Sequence, residues 1–358
     1  MPDTATAILY QALPPPVIDG LRKDAKPGGY SDGGADIGFA LAGLGERIVT
    51  PVAQPDPAKA FDWVFPDTAD GIAAAIAAGA DVLWANTVLF EGHPLERVLD
   101  SVDIVGQLPA AMQAHDDKFA TNAALFRAGL PVARSFLVSA VARVGARTLA
   151  DLDIAMADAG LKPPVIVKPV RGRGSQGVSL ARDMAQVHAA VEALISSGAF
   201  GDTVMVEEFL DGEEVTVTLM PPASTTIGGG VSPTHWALRP VRRVDQKDGV
   251  APYNGDVPVT ANSIAIDDGR LADPDVAAMI DACIVAARFV DARAAIRIDC
   301  RQGADGVFRL FDLNMKPNMT GPGRPGRDDQ DCLSAIAARA DGWSYPALLS
   351  SMLAARWR

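Results

Sequence analysis

A chain of 358 residues that is 49% apolar and 21% charged can bury a sizeable core and has room for two or three domains. Its formal charge of −12 excludes a polyanion-binding surface over most of the molecule, so no nucleic-acid partner is expected. No stretch nears the roughly 20 apolar residues of a membrane-spanning helix, so no membrane partner is expected either. The N-terminus lacks a basic segment followed by an apolar one, and three scattered cysteines show no CxxC pairing; together these fit buried thiols and a cytoplasmic location.

Residues 5–10 form a first strand, ended by Pro14, Pro15 and Pro16. GGYSDGG at 28–34 is a turn rich in backbone donors, 35–44 has helical spacing and 47–52 is β-like, which together open an α/β layer. Such turns hold ligands at a helix N-terminus, and a purely structural turn fits them as well. An alanine-rich helix follows at 69–80, then a short strand at 81–84 leading to Asn86, Thr87 and His93. His93 stands beside a proline in a loop and reads as structural. The first domain ends near Pro109.

From residue 113 a helix carries Lys118 until Gly129 and Pro131 stop it, and a strand follows. Further helices are expected at 147–160 and 184–196, with strands at 165–168, 203–210 and 215–220. Residues 221–262 are irregular and hold a basic group, Arg239, Arg242, Arg243 and Lys247. That length marks either a functional loop or disorder, and Trp236 and Tyr253 favour order. Residues 274–289 are a helix leading into a β-hairpin, 295–301 and 307–314, and helices at 328–340 and 345–358 close the chain.

Chemistry gathers in three stretches. In VIVKPVRGRGSQG a buried strand ends at Lys168 and runs into a loop whose Gly172, Gly174 and Gly177 let the backbone approach an anion, with the Ser175 hydroxyl as a further donor. The spacing is not that of a Walker loop, and an ordinary turn has the same pattern. In VMVEEFLDGEEVTV, paired acids follow an apolar strand and recur after Gly212. A crossing strand there can hydrogen-bond an adenine edge while Glu214 accepts from ribose hydroxyls; a charged hairpin in water is the alternative. In the hairpin, Ile296, Ile298 and Cys300 share one face and Arg297, Asp299 and Arg301 the other, and strict alternation puts Asp312 and Asn314 on the face of Phe308 and Leu310. Paired strands would let Asp299, Asp312 and Asn314 converge as hard oxygen ligands for Mg²⁺ or Mn²⁺, beside an Arg297 suited to developing negative charge.

A basic strand-loop, an acidic hinge and an acidic hairpin, in that order over 116–320, resemble the ATP-grasp superfamily, and most closely its D-alanine:D-alanine ligase branch. The resemblance implies an α/β N-terminal domain (1–110) followed by an ATP-grasp fold of two α+β subdomains (111–202 and 203–358). It implies that Lys118 and Lys168 hold ATP phosphates under a lid containing Gly174, Ser175, Gln176 and Gly177. Glu207, Glu208, Phe209 and Leu210 would be the adenine hinge and Glu214 the ribose acid. Asp299, Asp312 and Asn314 would bind two Mg²⁺ (or Mn²⁺) ions, with Arg297 as the catalytic arginine. The implied reaction phosphorylates a small-molecule carboxylate and lets an amine displace phosphate, giving an amide. The resembled branch commonly forms homodimers, and nothing in this sequence marks an interface.

The substrate end departs from the branch. Where its ligases read NTSPGMT with a serine soon after, this chain reads NMKPNMTGPGRPGR from Asn314. Asn318 replaces a glycine of the oxyanion site, the serine is absent near Gly323, and Arg324 or Arg327 is expected to take over anion binding. Asp32 lies near the position of the amine-binding glutamate. These departures point away from D-alanyl-D-alanine synthesis while leaving ligase chemistry in place. Two rivals are a carboxylase-like enzyme acting on bicarbonate, for which no biotin-carrier segment is seen, and a nucleotide-binding protein without turnover, which need not keep Arg297, Asp299, Asp312 and Asn314 together.

Overall fold

The computed structural model describes residues 4–23, 26–172, 176–246 and 259–358. Gly174, Ser175, Lys247 and Tyr253, singled out above, lie outside the described residues. Among the described residues three larger sheets follow one another along the chain, with a two-stranded one near its start.

The first contains β1 (Ala5–Tyr10), followed by a small hairpin of β2 (Val17–Ile18) and β3 (Leu21–Arg22) and then α1 (Ser31–Gly43). It continues through β4 (Arg47–Val49), β5 (Val64–Pro66), α2 (Ala69–Ala77), β6 (Val82–Asn86) and β7 (Asp103–Val105). β4 and β5 share one edge of β1, β6 takes the other and β7 lies outside β6, all parallel. A parallel sheet flanked by helices is buried on both faces, which is why β1 and β6 read as nearly continuous apolar runs. α1 starts four residues earlier than its spacing suggests, so Gly33 and Gly34 are helical. A Cβ on Gly34 would come within 2.7 Å of Val64 Cγ1 and 3.2 Å of Ile8 Cγ2, so glycine is what lets α1 lie directly on the sheet.

Two helices, α3 (Pro109–Ala114) and α4 (Lys118–Arg127), replace the single one expected from residue 113. Asp117 makes the break: its carboxylate accepts from Ala120 N at 2.7 Å and caps α4. The second sheet has the order β11-β10-β12-β8-β9. Its strands are β8 (Ser135–Ser139), β9 (Ala146–Thr148), β10 (Val165–Pro169), β11 (Ser179–Ala181) and β12 (Thr203–Glu208). Helices α5 (Leu152–Asp158) and α6 (Met184–Ser196) cover one face, burying Val138, Val165, Val167, Val204 and Val206. The other face carries Ile166, Lys168, Met205 and Glu207, as alternation along a strand requires.

The third sheet, in the order β16-β15-β13-β17-β18, also has one polar face. It is built from β13 (Glu214–Met220), β14 (Trp236–Ala237), β15 (Val241–Arg243), β16 (Ser263–Ala265), β17 (Ile296–Gln302) and β18 (Phe308–Asn314). After the short α7 (Asp268–Leu271), α8 (Pro274–Phe289) packs beneath with Val276, Met279, Cys283 and Ala286 buried at helical spacing. α9 (Leu333–Ala340) and α10 (Tyr345–Ala354) return the chain to the first sheet: α10 packs on α1, and Trp357 exchanges backbone hydrogen bonds with Ile104. Of the basic group in the irregular segment, Arg239 pairs with Asp341 at 3.0 Å and Asp268 at 2.7 Å, and Arg243 is buried.

One register corrects the sequence reading. Asp299 pairs with Asp312 and Cys300 with Leu310, so Phe311 is an extra residue opposite the Asp299–Cys300 step. The bulge reverses the alternation. Phe308 and Leu310 stay in the core, whereas Asp312 and Asn314 turn to the opposite face, beside Asp299 and Arg297 and not beside Phe308 and Leu310.

Candidate active site

The polar face of the third sheet carries two rows of side chains. Thr216, Asp299 and Asp312 are direct cross-strand neighbours in one row, and Thr218, Arg297 and Asn314 in the next. Neighbours in such a row stand about 5 Å apart at Cβ, close enough for two carboxylates to share one cation. Thr216 Oγ1 donates to Asp299 Oδ1 at 2.7 Å, and Arg297 Nε lies 3.4 Å from the same oxygen.

A lysine of the second sheet and one of α4 face these rows. Lys118, the first residue of α4, reaches across to Asp312 Oδ1 at 2.6 Å. Lys168 donates to Glu207 Oε1 at 2.6 Å and to the carbonyl of the bulge residue Phe311 at 3.4 Å. The bulge thus turns Asp312 and Asn314 into the cleft and presents its own carbonyl to a lysine. Burial works to raise the Asp312 carboxyl, yet Lys118 and Lys168 outweigh it and hold the group below its ordinary value. Burial also works against the Lys118 ammonium, and Asp312 reverses that, leaving it above its ordinary value. Glu207 goes the other way: burial raises it more than Lys168 lowers it. Its second oxygen, Oε2, is buried with no partner, so an acceptor stands open to a ligand donor on the cleft side of β12.

The remaining hinge residues make contacts of their own. Glu208 turns away to Arg134, with Oε1 2.9 Å from Nη2, Phe209 lies under the Arg301 guanidinium at 5.0 Å and Leu210 is buried. Glu214 is buried at the start of β13 between Arg301 and Arg243, its cross-strand neighbours, and Gln246 donates to it at 2.6 Å. Burial pushes its carboxyl up to about 7, and the charge of Asp299 adds to this. Of the lid residues within the described range, Gln176 is exposed and Gly177 has φ +70° with Phe200, Pro169 and Leu194 close around its Cα.

The predicted substrate-binding residues are placed differently. Arg324 is only 2% exposed, and each of its three side-chain nitrogens donates within the protein: Nε to Asp36 at 2.7 Å, Nη1 to Pro57 O and Nη2 to Asp32 O. Arg327 shares Asp36, at 2.8 and 2.9 Å. The expected anion-binding pair is therefore spent on a carboxylate of α1, and Asp32 sits exposed beside it, 3.3 Å from Arg324. Asn318 donates to Thr320. Asp36 was legible as the lone acid on an apolar helical face; Thr216 carried no signal beyond its alternation. Lys316, also missed, reaches from the end of β18 to Asn86 at 3.0 Å and lies 3.4 Å from the Tyr30 ring centroid.

Two carboxylates and an amide oxygen on one face are hard donors, and the chemistry of the set fits Mg²⁺. Among the described residues no three His, Cys, Asp or Glu side chains form a metal cluster, so an ion here would take the rest of its shell from Asn314, water and phosphate. An N-terminal α/β layer and two sheets that close lysines on a carboxylate pair define an ATP-grasp protein. The model of the D-ala D-ala ligase C-terminus family matches residues 125–354, and the chain belongs to that family.

A D-alanine–D-alanine ligase of Cupriavidus pinatubonensis is 31% identical over 211 residues, 57% of this chain and 55% of its own length. The chain thus spans about half the length of the curated relatives it matches. The VanG D-Ala:D-Ser ligase of Enterococcus faecalis superposes with a TM-score of 0.64 at 14% identity, covering 98% of both chains. The D-alanine–D-alanine ligase of Bacillus anthracis solved with ATP gives 0.64 at 15%, over 98% of this chain and 96% of the other. These likenesses show the fold.

Proposed function

We propose that the protein is an ATP-dependent carboxylate-amine ligase working through an acyl phosphate, with ATP between the subdomains 111–202 and 203–358. The reading is carried by the meeting of Lys118 and Lys168 with Asp299, Asp312 and Asn314 in one cleft. Lys118 and Lys168 hold the nucleotide phosphates, and Glu207 Oε2 accepts from the adenine amino group. Arg297 steadies the negative charge that develops as the carboxylate takes the γ-phosphoryl group and again as the amine attacks. Asp299, Asp312 and Asn314 hold two Mg²⁺ ions, whose chemistry when bound is to neutralise phosphate charge. No side chain needs to act as a covalent nucleophile.

Small amino acids are the substrate class, on the strength of the D-alanine and D-serine named for the similar proteins. In the proposed pocket for the second substrate, Arg324 and Arg327 are held by Asp36, and Lys316 takes a place beside Asn86 and Tyr30. Phosphate release from Mg²⁺ and ATP over a panel of D- and L-amino acids, hydroxy acids and bicarbonate tests the reading. A ligase requires a carboxylate and an amine together. Release with bicarbonate alone would favour a carboxylase, and nucleotide binding without release on any panel would leave a binding protein.

A further inference from the structure

A cavity of about 250 Å³ lies where the β2–β3 hairpin, the 88–90 segment with the end of α3, and the near edge of the second sheet meet. None of the cleft residues above lines it. Its wall is mostly apolar, with Phe90, Met112, Leu137 and Phe200 among the lining side chains. The charged groups around it are matched to one another: Arg143 with Asp202 at 2.6 Å, Lys23 with Asp116 at 2.6 Å, and Arg171 with Asp19 at 2.7 Å and Asp117 at 3.0 Å. Among the described residues one polar atom of the wall is left over, since Arg171 Nε is buried with no hydrogen-bond partner.

An apolar cavity with a few placed polar groups is the usual form of a small-molecule site, and a buried donor without an acceptor is a cost that a ligand acceptor would remove. The carboxylates at the wall outnumber the cations by one, so an anion would meet an unfavourable field. The wall is also the reverse side of the nucleotide cleft: Asp117 caps the helix that begins at Lys118, and Val170 O accepts from Lys118 N at 3.3 Å.

We propose that this cavity is an effector site for a small, neutral, mostly apolar molecule with one carbonyl-type acceptor, held at Arg171, whose occupancy changes nucleotide affinity through the Asp117–Lys118 step. The effector role rests on the ligase reading, so binding is measured first without nucleotide, by ligand-observed NMR with acetophenone as probe and benzoate as its anionic counterpart. Acetophenone is expected to bind saturably and benzoate at least roughly tenfold more weakly. Arg171→Lys keeps a cation for Asp19 and Asp117 but removes Nε, and Ala146→Trp fills the cavity; each is expected to weaken acetophenone about tenfold or more. Saturating acetophenone is then expected to shift the calorimetric Kd for Mg²⁺-ATP about threefold or more. No saturable binding, benzoate binding as well as acetophenone, or full binding in both variants would overturn the site. An unmoved ATP Kd would overturn its effector role. A protein that binds acetophenone but no ATP would defeat the ligase reading and leave the cavity assignment standing.

Discussion

Asp312 keeps its charge in a partly buried position because Lys118 stands 2.6 Å from it and Lys168 adds to the field. Asp312→Ala removes the proposed cation ligand and a partner of Lys118 together. Turnover is expected to fall at least about a hundredfold while the circular dichroism spectrum and melting transition survive; full activity in the variant would remove the residue from the site. Glu214 carries the pH dependence. Its carboxyl, ordinarily near 4.5, is pushed up to about 7 by burial, with Asp299 adding to the shift and Arg301 and Arg243 opposing it. Between those two values the folded chain keeps a proton that the unfolded chain has lost, so this group's contribution to stability declines as pH rises from 4.5 to 7 and is flat above that. The whole effect is on the order of 3 kcal/mol. Glu214→Gln should therefore flatten the melting temperature between pH 5 and 7, which a thermal series on both proteins checks; parallel curves would contradict it.

At the scale of elements, the β17–β18 hairpin decides where the acids point. Deleting Phe311 would make Leu310 and Asp312 consecutive in a regular ladder, with Leu310 and Leu313 still in the core and Asp312 and Asn314 still on the polar face, but without the carbonyl that Lys168 reaches at 3.4 Å. The deletion is expected to keep cooperative folding and to lower turnover about tenfold or more, whereas Phe311→Ala keeps that carbonyl and should stay within about twofold of the parent. Equal turnover of the two would mean that the bulge sets nothing. This is also where the sequence was only partly legible. Strands β17 and β18 and their acids could be read from alternation, and α6 and α8 from their periodicity, because those signals are local. A bulge is a property of two strands paired, and its one local mark in FRLFDLN is the adjacent Leu310 and Phe311, which break the alternation. α1 was read short for a related reason, since GGYSDGG looks like a turn until the sheet requires residues without Cβ beneath it.

In the molecule as a whole, the loop after β18 is fixed to the first sheet by Asp36, which holds Arg324 and Arg327 with no exposure of its own side chain. Neither partner was legible as a pair, because 288 residues separate Asp36 from Arg324 and nothing local marks such a contact. Removing one member of a buried ion pair leaves the other uncompensated, at a cost of roughly 3–5 kcal/mol. Asp36→Asn is expected to lower stability by about that amount in urea and to raise substrate KM more than it weakens ATP binding, because the loop carries Asn318 and Thr320. Unchanged stability would show that the two arginines do not depend on Asp36. The central claim is that phosphate leaves carrying an oxygen from the carboxylate substrate. It is tested most directly by supplying carboxyl-¹⁸O-labelled amino acid with Mg²⁺, ATP and an amine and analysing the released phosphate by mass spectrometry. One ¹⁸O in each phosphate, matched by an equal amount of amide, is the expected result; unlabelled phosphate would contradict the acyl-phosphate route.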